Sequence, residues 1–188
     1  MVSKKEDLKW MKQALALGEK ALEAGEFPVG CILVSGNSVV GSGARQHSKL
    51  GQLNELDHGE IVAIRDWLSR GAAREGVVSA YCTMEPCLMC LGALILNGVN
   101  RIVYAYEDVM GGAAGLDRSE PLTAEWKKSN SAMDKSILQE HLYCADTIEI
   151  VGGVCRRESL ALFKKFFQDE RNSYWKGSLL ARYTLNAT

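Results

Sequence analysis

The sequence lacks several features that would place it in a special class of protein. No uninterrupted apolar run approaches the roughly 18 residues of a membrane-spanning helix, and the chain has no internal repeat or low-complexity tract. Its first residues lead into an amphipathic pattern, not into the apolar core of a signal peptide. With 188 residues, 47% hydrophobic and 24% charged, the composition is typical of one soluble globular domain. We therefore expect a cytoplasmic protein that has no membrane partner.

The chain also lacks a strong net charge. Its formal net charge is −1, whereas a nucleic-acid-binding protein often has a basic balance. The charges are unevenly spread, because the segment from Cys155 to the end carries seven Lys or Arg residues against three acidic ones. This segment could contact phosphate, but a solvated helix face is the commoner explanation for such a pattern.

Histidine is scarce and cysteine is scattered. Of six cysteines, only Cys87 and Cys90 are close in sequence. In a reducing compartment such a pair favours metal binding or redox chemistry over a structural disulfide. The other four are expected to act as small apolar side chains; they are Cys31, Cys82, Cys144 and Cys155.

Two short segments together supply a set of metal ligands. His58, Cys87 and Cys90 are three good zinc ligands, and a catalytic zinc site keeps three protein ligands and leaves the fourth position to water. Bound zinc lowers the pKa of that water from about 15.7 to roughly 7, so hydroxide is available at neutral pH. Glu60 is not needed as a ligand and is free to move protons. The pattern therefore predicts Zn²⁺ as cofactor and hydrolytic removal of ammonia from an amino-substituted ring.

Other interpretations of these residues explain less. A structural zinc module would need a fourth ligand, and the remaining histidines, His47 and His141, are isolated in the sequence. A redox pair at Cys87 and Cys90 would leave His58 without a role. A non-catalytic module that supports RNA binding or a partner stays open as a further alternative, although Glu60 is present.

Periodicity predicts strands that alternate with helices, and hence an α/β sandwich. Pro86 is expected at the first position of a helix that is apolar nearly all round, which is typical of a buried helix. We predict a domain over 1–172 and a C-terminal extension over 173–188. The predicted helices are 8–24, 59–70, 86–96, 131–143 and 160–167, and the predicted strands are 29–34, 39–40, 77–83, 101–106 and 147–151.

The combination of His58-Gly59-Glu60 with Pro86-Cys87-Leu88-Met89-Cys90 matches the H-x-E and P-C-x-x-C signature of zinc nucleobase deaminases. The chain resembles the cytidine and deoxycytidylate deaminase superfamily over about 8–167, and within it the tRNA adenosine deaminases and guanine deaminases. Further matching segments are Phe27-Pro28-Val29-Gly30, Thr83-Met84-Glu85-Pro86-Cys87 and Gly112-Ala113-Ala114-Gly115.

The resemblance implies a three-layer α/β/α fold of the cytidine deaminase type, with a five-stranded mixed sheet between helices. It also implies that Glu60 takes a proton from the zinc-activated water, protonates a ring nitrogen and helps ammonia leave. Val29, the Gly59 backbone and the segment beginning at Glu85 are implied to line the substrate pocket. A homodimer, paired across the face that bears the zinc-site helices, is expected on the same ground.

Four departures from the family pattern bear on the substrate. The tRNA and guanine enzymes usually carry a substrate-binding asparagine soon after the second strand, where this chain has Arg45 and Gln46. An amide both donates and accepts hydrogen bonds, whereas arginine only donates them. Arg45 or Gln46 is therefore a candidate to recognise a carbonyl-rich base or an anionic group, and the alternative is that Arg45 faces solvent. The stretch 116–146 is longer than expected and carries Trp126, Lys127 and Lys128, and the tail 173–188 is additional. Asp57 also stands where a small residue is common.

These departures favour a small purine-like base or nucleoside as substrate. Adenosine in a tRNA anticodon loop is the alternative, followed by deoxycytidylate and related pyrimidines. An RNA substrate would require an extruded base with basic or aromatic contacts around the mouth of the pocket. The sequence leaves open the identity of the substrate and the roles of the insert and of the tail.

Overall fold

The computed structural model describes residues 2–71, 76–116 and 148–188. The predicted helix 131–143 and the residues Trp126, Lys127 and Lys128 lie outside these ranges. The helices are α1 (Lys4–Glu23), α2 (Gly59–Arg70), α3 (Leu88–Leu96), α4 (Arg156–Gln168) and α5 (Leu179–Asn186). The strands are β1 (Gly30–Ser35), β2 (Ser38–Ala44), β3 (Val78–Met84), β4 (Arg101–Tyr106) and β5 (Glu149–Val151).

In the described part of the chain the sheet has five strands, in the order β2-β1-β3-β4-β5. β1 pairs antiparallel with both β2 and β3, whereas β3–β4 and β4–β5 are parallel. A tight turn at Gly36, with φ +58°, joins β1 to β2. The predicted mixed sheet is therefore confirmed.

Helices cover both faces of this sheet. Because side chains alternate along each strand, every strand contributes to the packing on both faces. On β1, Leu33 packs into the cluster formed with α2 and α3, and the neighbouring Ile32 packs into the cluster formed with α1 and α4. Trp67 of α2 and Met11 of α1 are almost fully buried on opposite sides. The result is the three-layer α/β/α fold that was predicted.

Close backbone packing sets where α2 begins. A Cβ added at Gly43 of β2 would lie 2.4 Å from the backbone N of Ala63 and 2.4 Å from the backbone O of Gly59, both in α2. Real Cβ atoms do not approach other atoms so closely, so only glycine allows α2 to lie this near to β2. This contact positions the first turn of α2, which carries the predicted zinc histidine and glutamate.

The C-terminal tail packs against the domain. Leu180 of α5 is buried with Phe163 and Tyr106, and the Tyr106 hydroxyl lies 3.1 Å from that of Thr184. At the same end Tyr183 donates a hydrogen bond of 2.7 Å to Glu107. Helix α5 was not predicted, and the division at residue 172 stays a prediction.

Two expectations about α3 were wrong. Cys87, not Pro86, is the N-cap, so Pro86 lies outside the helix and not at its first position. Within this single chain Leu88 is 67% and Leu96 55% exposed, so α3 is not buried all round. Across the described ranges, no helix is both long enough and apolar enough to cross a membrane.

Candidate active site

Two helix N-termini bring the predicted metal ligands together. His58 is the N-cap of α2 and Cys87 is the N-cap of α3, and both have extended backbone. Neither side chain caps its own helix, so imidazole and thiol can point toward one place. Cys90 follows within the first turn of α3. Free N–H groups and the helix dipole at such a terminus favour thiolate over thiol.

The distances among these groups suit a zinc ion. The Nδ1 atom of His58 lies 3.6 Å from the Sγ of Cys87 and 3.4 Å from the Sγ of Cys90. Zinc–nitrogen and zinc–sulfur bonds of about 2.0 and 2.3 Å at tetrahedral angles separate the two ligand atoms by about 3.5 Å. Among the residues that the structure describes, His58, Cys87 and Cys90 form the one group suited to hold a metal ion. This group offers three ligands, as an open zinc site requires.

One of the two ligand thiols, that of Cys87, favours the thiolate form that binds a cation. A hydrogen bond with Cys90, aided by His58, lowers the pKa of the Cys87 thiol to about 4. By contrast, Cys31 and Cys82 are fully buried opposite each other on β1 and β3, with their sulfurs 3.7 Å apart. The hydrogen bond with Cys31, together with burial, raises the pKa of Cys82. These two cysteines therefore behave as core residues, as predicted.

Glu60 lies beside the metal ligands and is not one of them. It is the second residue of α2, it is only 3% exposed, and its carboxyl oxygen lies 3.4 Å from the Sγ of Cys90. Burial raises the pKa of this carboxyl group. A raised pKa shifts a carboxyl group in the direction that general acid–base catalysis requires.

A cavity of about 230 Å³ opens next to Glu60. The structure brings all four predicted substrate-binding residues to its wall, namely Val29, Arg45, Gly59 and Glu85. Gly59 fits tightly there, because an added Cβ would lie 3.2 Å from the backbone O of Val29. The cavity is smaller than the roughly 300–1,000 Å³ of drug-sized sites, so it suits a single base.

Arg45 belongs to this cavity and does not face solvent. It is 2% exposed, and its Nη1 donates a hydrogen bond of 2.7 Å to the backbone O of Asn54. Its Nη2 donates to the carboxylate of Glu55 at 2.9 Å and to the Tyr174 hydroxyl at 3.4 Å. Its buried Nε has no hydrogen-bond partner among the described residues. Gln46, the neighbouring candidate, is exposed.

The Glu85 side chain holds a loop. Its carboxylate accepts hydrogen bonds from the backbone N–H of Asp108, at 3.1 Å, and of Ala114, at 2.9 Å. A Cβ at Gly112 would lie 2.5 Å from this carboxylate, which explains the glycine in that segment. Glu85 thus shapes the cavity by fixing the loop around 108–114.

Asp57, the unusual residue before the zinc histidine, holds the loop between β2 and α2. Its carboxylate lies 2.8 Å from Nδ1 of His47 and accepts hydrogen bonds from Asn54, at 2.7 Å, and Arg65, at 2.6 Å. His47, together with Arg65, lowers the pKa of this carboxyl group. The Asp57 network fixes the segment that leads into His58.

Several cavity residues were not predicted from the sequence. Glu55, Asp108 and Met110 come from two loops, and Tyr174 and Trp175 come from the C-terminal tail. The position of Glu55, three residues before His58, was a usable signal. Tyr174 and Trp175 gave only a weak signal, because no local sequence pattern links them to cavity residues more than a hundred positions earlier in the chain.

Comparison with known proteins points to one family. The model of the cytidine and deoxycytidylate deaminase zinc-binding region matches residues 4–106. A relative named tRNA-specific adenosine deaminase 2 from Xenopus laevis is 38% identical over 114 residues, which is 56% of this chain and 63% of that protein. The chain thus spans less than two thirds of that relative's length. A tRNA-specific adenosine deaminase from Bacillus subtilis is 29% identical over 168 residues, 88% of this chain and 91% of that protein.

Solved structures share the fold at low sequence identity. A structure from a study of A-to-I editing by tRNA:A34 deaminases has a TM-score of 0.58 at 23% identity, covering 82% of this chain and 98% of that one. A mutant of NE0047 in complex with 8-azaguanine has a TM-score of 0.60 at 20% identity, covering 85% of this chain and 84% of that one. With the matched family model and the His-Cys-Cys ligand group, these findings lead to one conclusion: the chain belongs to the zinc-binding cytidine and deoxycytidylate deaminase family.

Proposed function

We propose that this chain is a hydrolytic deaminase of an aminated base, with adenosine in tRNA as the first candidate substrate. The observation that carries the proposal is the placement of buried Glu60 between a three-ligand metal group and a cavity of about 230 Å³. A site with three protein ligands leaves a fourth position for water. The adjacent carboxyl group, which is not a ligand, is then available for proton transfer.

The reaction divides between the metal and the side chains. Zinc, held by His58, Cys87 and Cys90, supplies a Lewis acid that lowers the pKa of water to about 7. Glu60 accepts a proton from the attacking water and delivers it to a ring nitrogen. As the carbon–nitrogen bond breaks, Glu60 takes the second proton from the hydroxyl now bonded to the ring carbon and gives it to the departing amino group, so that a carbonyl forms and ammonia leaves. The raised pKa of Glu60 suits both directions of transfer.

The walls of the cavity hold the base in place. Val29 supplies an apolar surface for the ring. Gly59 is the first residue of α2, and first-turn N–H groups have no partner within their own helix. This N–H is therefore available to donate a hydrogen bond to an acceptor on the base. Any sugar or neighbouring nucleotide lies outside the cavity, because the volume suits one ring system.

The candidate substrates now rank differently from the order that the sequence favoured. The sequence relatives are named as tRNA-specific adenosine deaminases, which supports the tRNA candidate. A specific observation still favours a small base or nucleoside as the second candidate. Arg45 stands in the wall of the cavity in place of the asparagine that the tRNA enzymes usually carry.

Ammonia release tests both candidates. Protein carrying one zinc per chain is incubated with an anticodon stem-loop that contains adenosine, and separately with adenine, guanine, cytosine and their nucleosides. Release from the stem-loop, with inosine as product, is the expected result. Turnover of a free base or nucleoside alone would support the second candidate. If zinc-loaded protein turned over none of them, the deaminase proposal would be wrong.

A homodimer is also proposed. Leu68 of α2 and Leu88 and Leu96 of α3 are 56%, 67% and 55% exposed in the single chain. Exposed apolar side chains on the zinc-site helices are suited to burial against a second copy. Sedimentation at micromolar concentration is expected to give a dimer, and a monomer alone would contradict the proposal.

A further inference from the structure

One carboxylate oxygen joins three parts of the molecule. The Oε2 atom of Glu55 accepts hydrogen bonds from Nη2 of Arg45 and from the Tyr174 hydroxyl, both at 2.9 Å. The same oxygen lies 3.5 Å from Nε2 of His58. Glu55 thus stands between a metal ligand, a buried cation of the cavity wall and the C-terminal tail.

The orientation of the His58 ring determines which of its two nitrogens faces Glu55. Nδ1 faces the sulfurs of Cys87 and Cys90, so a metal ion held by these three residues bonds to Nδ1. The ring proton then lies on Nε2, the nitrogen that faces Glu55. Metal-ligating histidines commonly donate this second N–H to a carboxylate, which fixes the ring and its tautomer.

The C-terminal tail contacts Glu55 through Tyr174, which packs among other aromatic rings. The Tyr174 ring lies 5.2 Å from that of Phe27 and 5.6 Å from that of Trp175, and all three residues line the cavity. The guanidinium of Arg45 lies 5.4 Å from the centre of the same Tyr174 ring. When the tail lies in this position, the Tyr174 hydroxyl and Arg45 restrain the carboxylate of Glu55 from one side.

We propose that Glu55 is a positioning residue that holds the His58 imidazole for the metal and makes this hold depend on the docked tail. The inference rests on the proposed function only in taking zinc as the metal. Glu55 does not belong to the metal-ligand group. Its side chain is 49% exposed, so its position depends on the three partners and not on burial.

The rate of zinc loss to a chromogenic chelator tests the proposal without any substrate. E55Q keeps an acceptor oxygen but loses the charge, and Y174F removes only the hydroxyl. We expect zinc loss to be about tenfold faster in E55Q, within the range usual for partners of metal ligands. Y174F is expected to lose zinc about threefold faster, since one hydrogen bond to Glu55 is removed.

Matched controls separate positioning from general destabilisation. Y183F also removes a tail hydrogen bond from tyrosine to glutamate, at 2.7 Å to Glu107, but away from His58. E19A removes an exposed glutamate of α1. Both controls are expected to lose zinc at the wild-type rate. Thermal unfolding of every variant verifies that each is folded; E55A is avoided because it would leave the buried Arg45 without its carboxylate.

The outcomes are distinct. If E55Q and Y174F released zinc at the rate of E19A and Y183F, the proposal would be overturned. Faster release in all four variants would also overturn it, because a general loosening would then explain the effect. If zinc retention changed as expected while no substrate was turned over, the proposed function would fail and the role of Glu55 would stand.

Discussion

The cavity has two walls that are built in different ways. The metal wall is made by His58, Glu60 and Cys87, with the buried ligand Cys90 beside them, and all four lie at the N-termini of two helices packed on the sheet. The opposite wall is made by a loop and by the tail, where Glu55 and Tyr174 are 119 residues apart. One wall depends on short motifs and backbone position, and the other on side-chain contacts between distant segments.

This difference in construction corresponds to a difference in role, between carrying out the reaction and choosing the substrate. The metal wall carries the groups that every hydrolytic deamination of the proposed kind needs. The opposite wall contains Arg45 in place of the expected amide, together with two aromatic residues of the tail. We infer that changes in the metal wall abolish the reaction for all substrates. Changes in the opposite wall alter which substrate is used and how tightly it is held, and those at Glu55 or Tyr174 also weaken zinc retention through His58.

The largest effect is expected from C87S. Loss of one of three protein ligands should reduce bound zinc from one per chain to a small fraction and bring ammonia release to background. C155S is the matched control, because Cys155 lies at the start of α4 and outside the ligand group. Metal analysis of both variants checks this, and full zinc occupancy in C87S would remove Cys87 from the metal wall.

A second test concerns the support behind the metal wall. G43A places a methyl group 2.4 Å from backbone atoms of α2, and overpacking of this kind costs about 1–3 kcal/mol. We expect a lower free energy of unfolding and weaker zinc retention, since the first turn of α2 must shift. G115A is the control, because no atom of the described residues lies within 4 Å of its added Cβ. Equal stability in chemical denaturation of the two variants would contradict the account.

In the opposite wall, W175A should leave zinc content unchanged and weaken substrate binding. Stacking of a base on an aromatic ring is worth about 1–3 kcal/mol, so a rise in KM of about tenfold is expected. L185A, which removes a side chain of the same tail with the same 44% exposure, is the control. Zinc loss in W175A would show that the two walls are not separable in this way.

The smallest effect is expected where the tail is anchored away from the cavity. Arg156 and then Tyr183 hold the pKa of Glu107 at about 2, below its usual value near 4.5. Because the folded-state pKa is depressed, the stabilisation is present above about pH 4.5 and is lost as the pH falls toward 2. E107Q should cost about 1 kcal/mol at pH 7, as Glu107 is partly exposed and screened.

Denaturation of wild type and E107Q across pH checks this prediction. The difference in unfolding free energy should narrow steadily below about pH 4.5, and zinc content at pH 7 should be equal in the two proteins. A difference that stayed constant down to pH 2 would show that the carboxylate charge does not stabilise the tail.

Local patterns were sufficient to predict the metal wall and most of the sheet. Strand β4 was predicted at 101–106, where it lies, and α2 ends before Gly71 as predicted, with that glycine in the left-handed conformation. These elements are defined by residues adjacent in sequence. Helix α5 was missed because it has only eight residues, and its burial depends on contact of Leu180 with residues of α4.

The opposite wall could not be predicted, because it also depends on contacts between distant residues. Whether Arg45 faces the cavity depends on Glu55 and on Tyr174, which is 129 residues further along the chain. No periodicity carries that information. The exposure of Leu88 and Leu96 was also missed. An apolar helix indicates that its side chains are buried, but it does not tell whether they are buried within the same chain or against a second copy.

The central claim is that the buried carboxyl group beside the metal ligands moves the protons of the reaction. E60Q tests it most directly, with zinc content and ammonia release measured on the same sample and substrate as wild type. We predict that E60Q retains one zinc per chain while its release rate falls by about 10²–10⁴-fold. A fully zinc-loaded E60Q that releases ammonia at the wild-type rate would contradict the account.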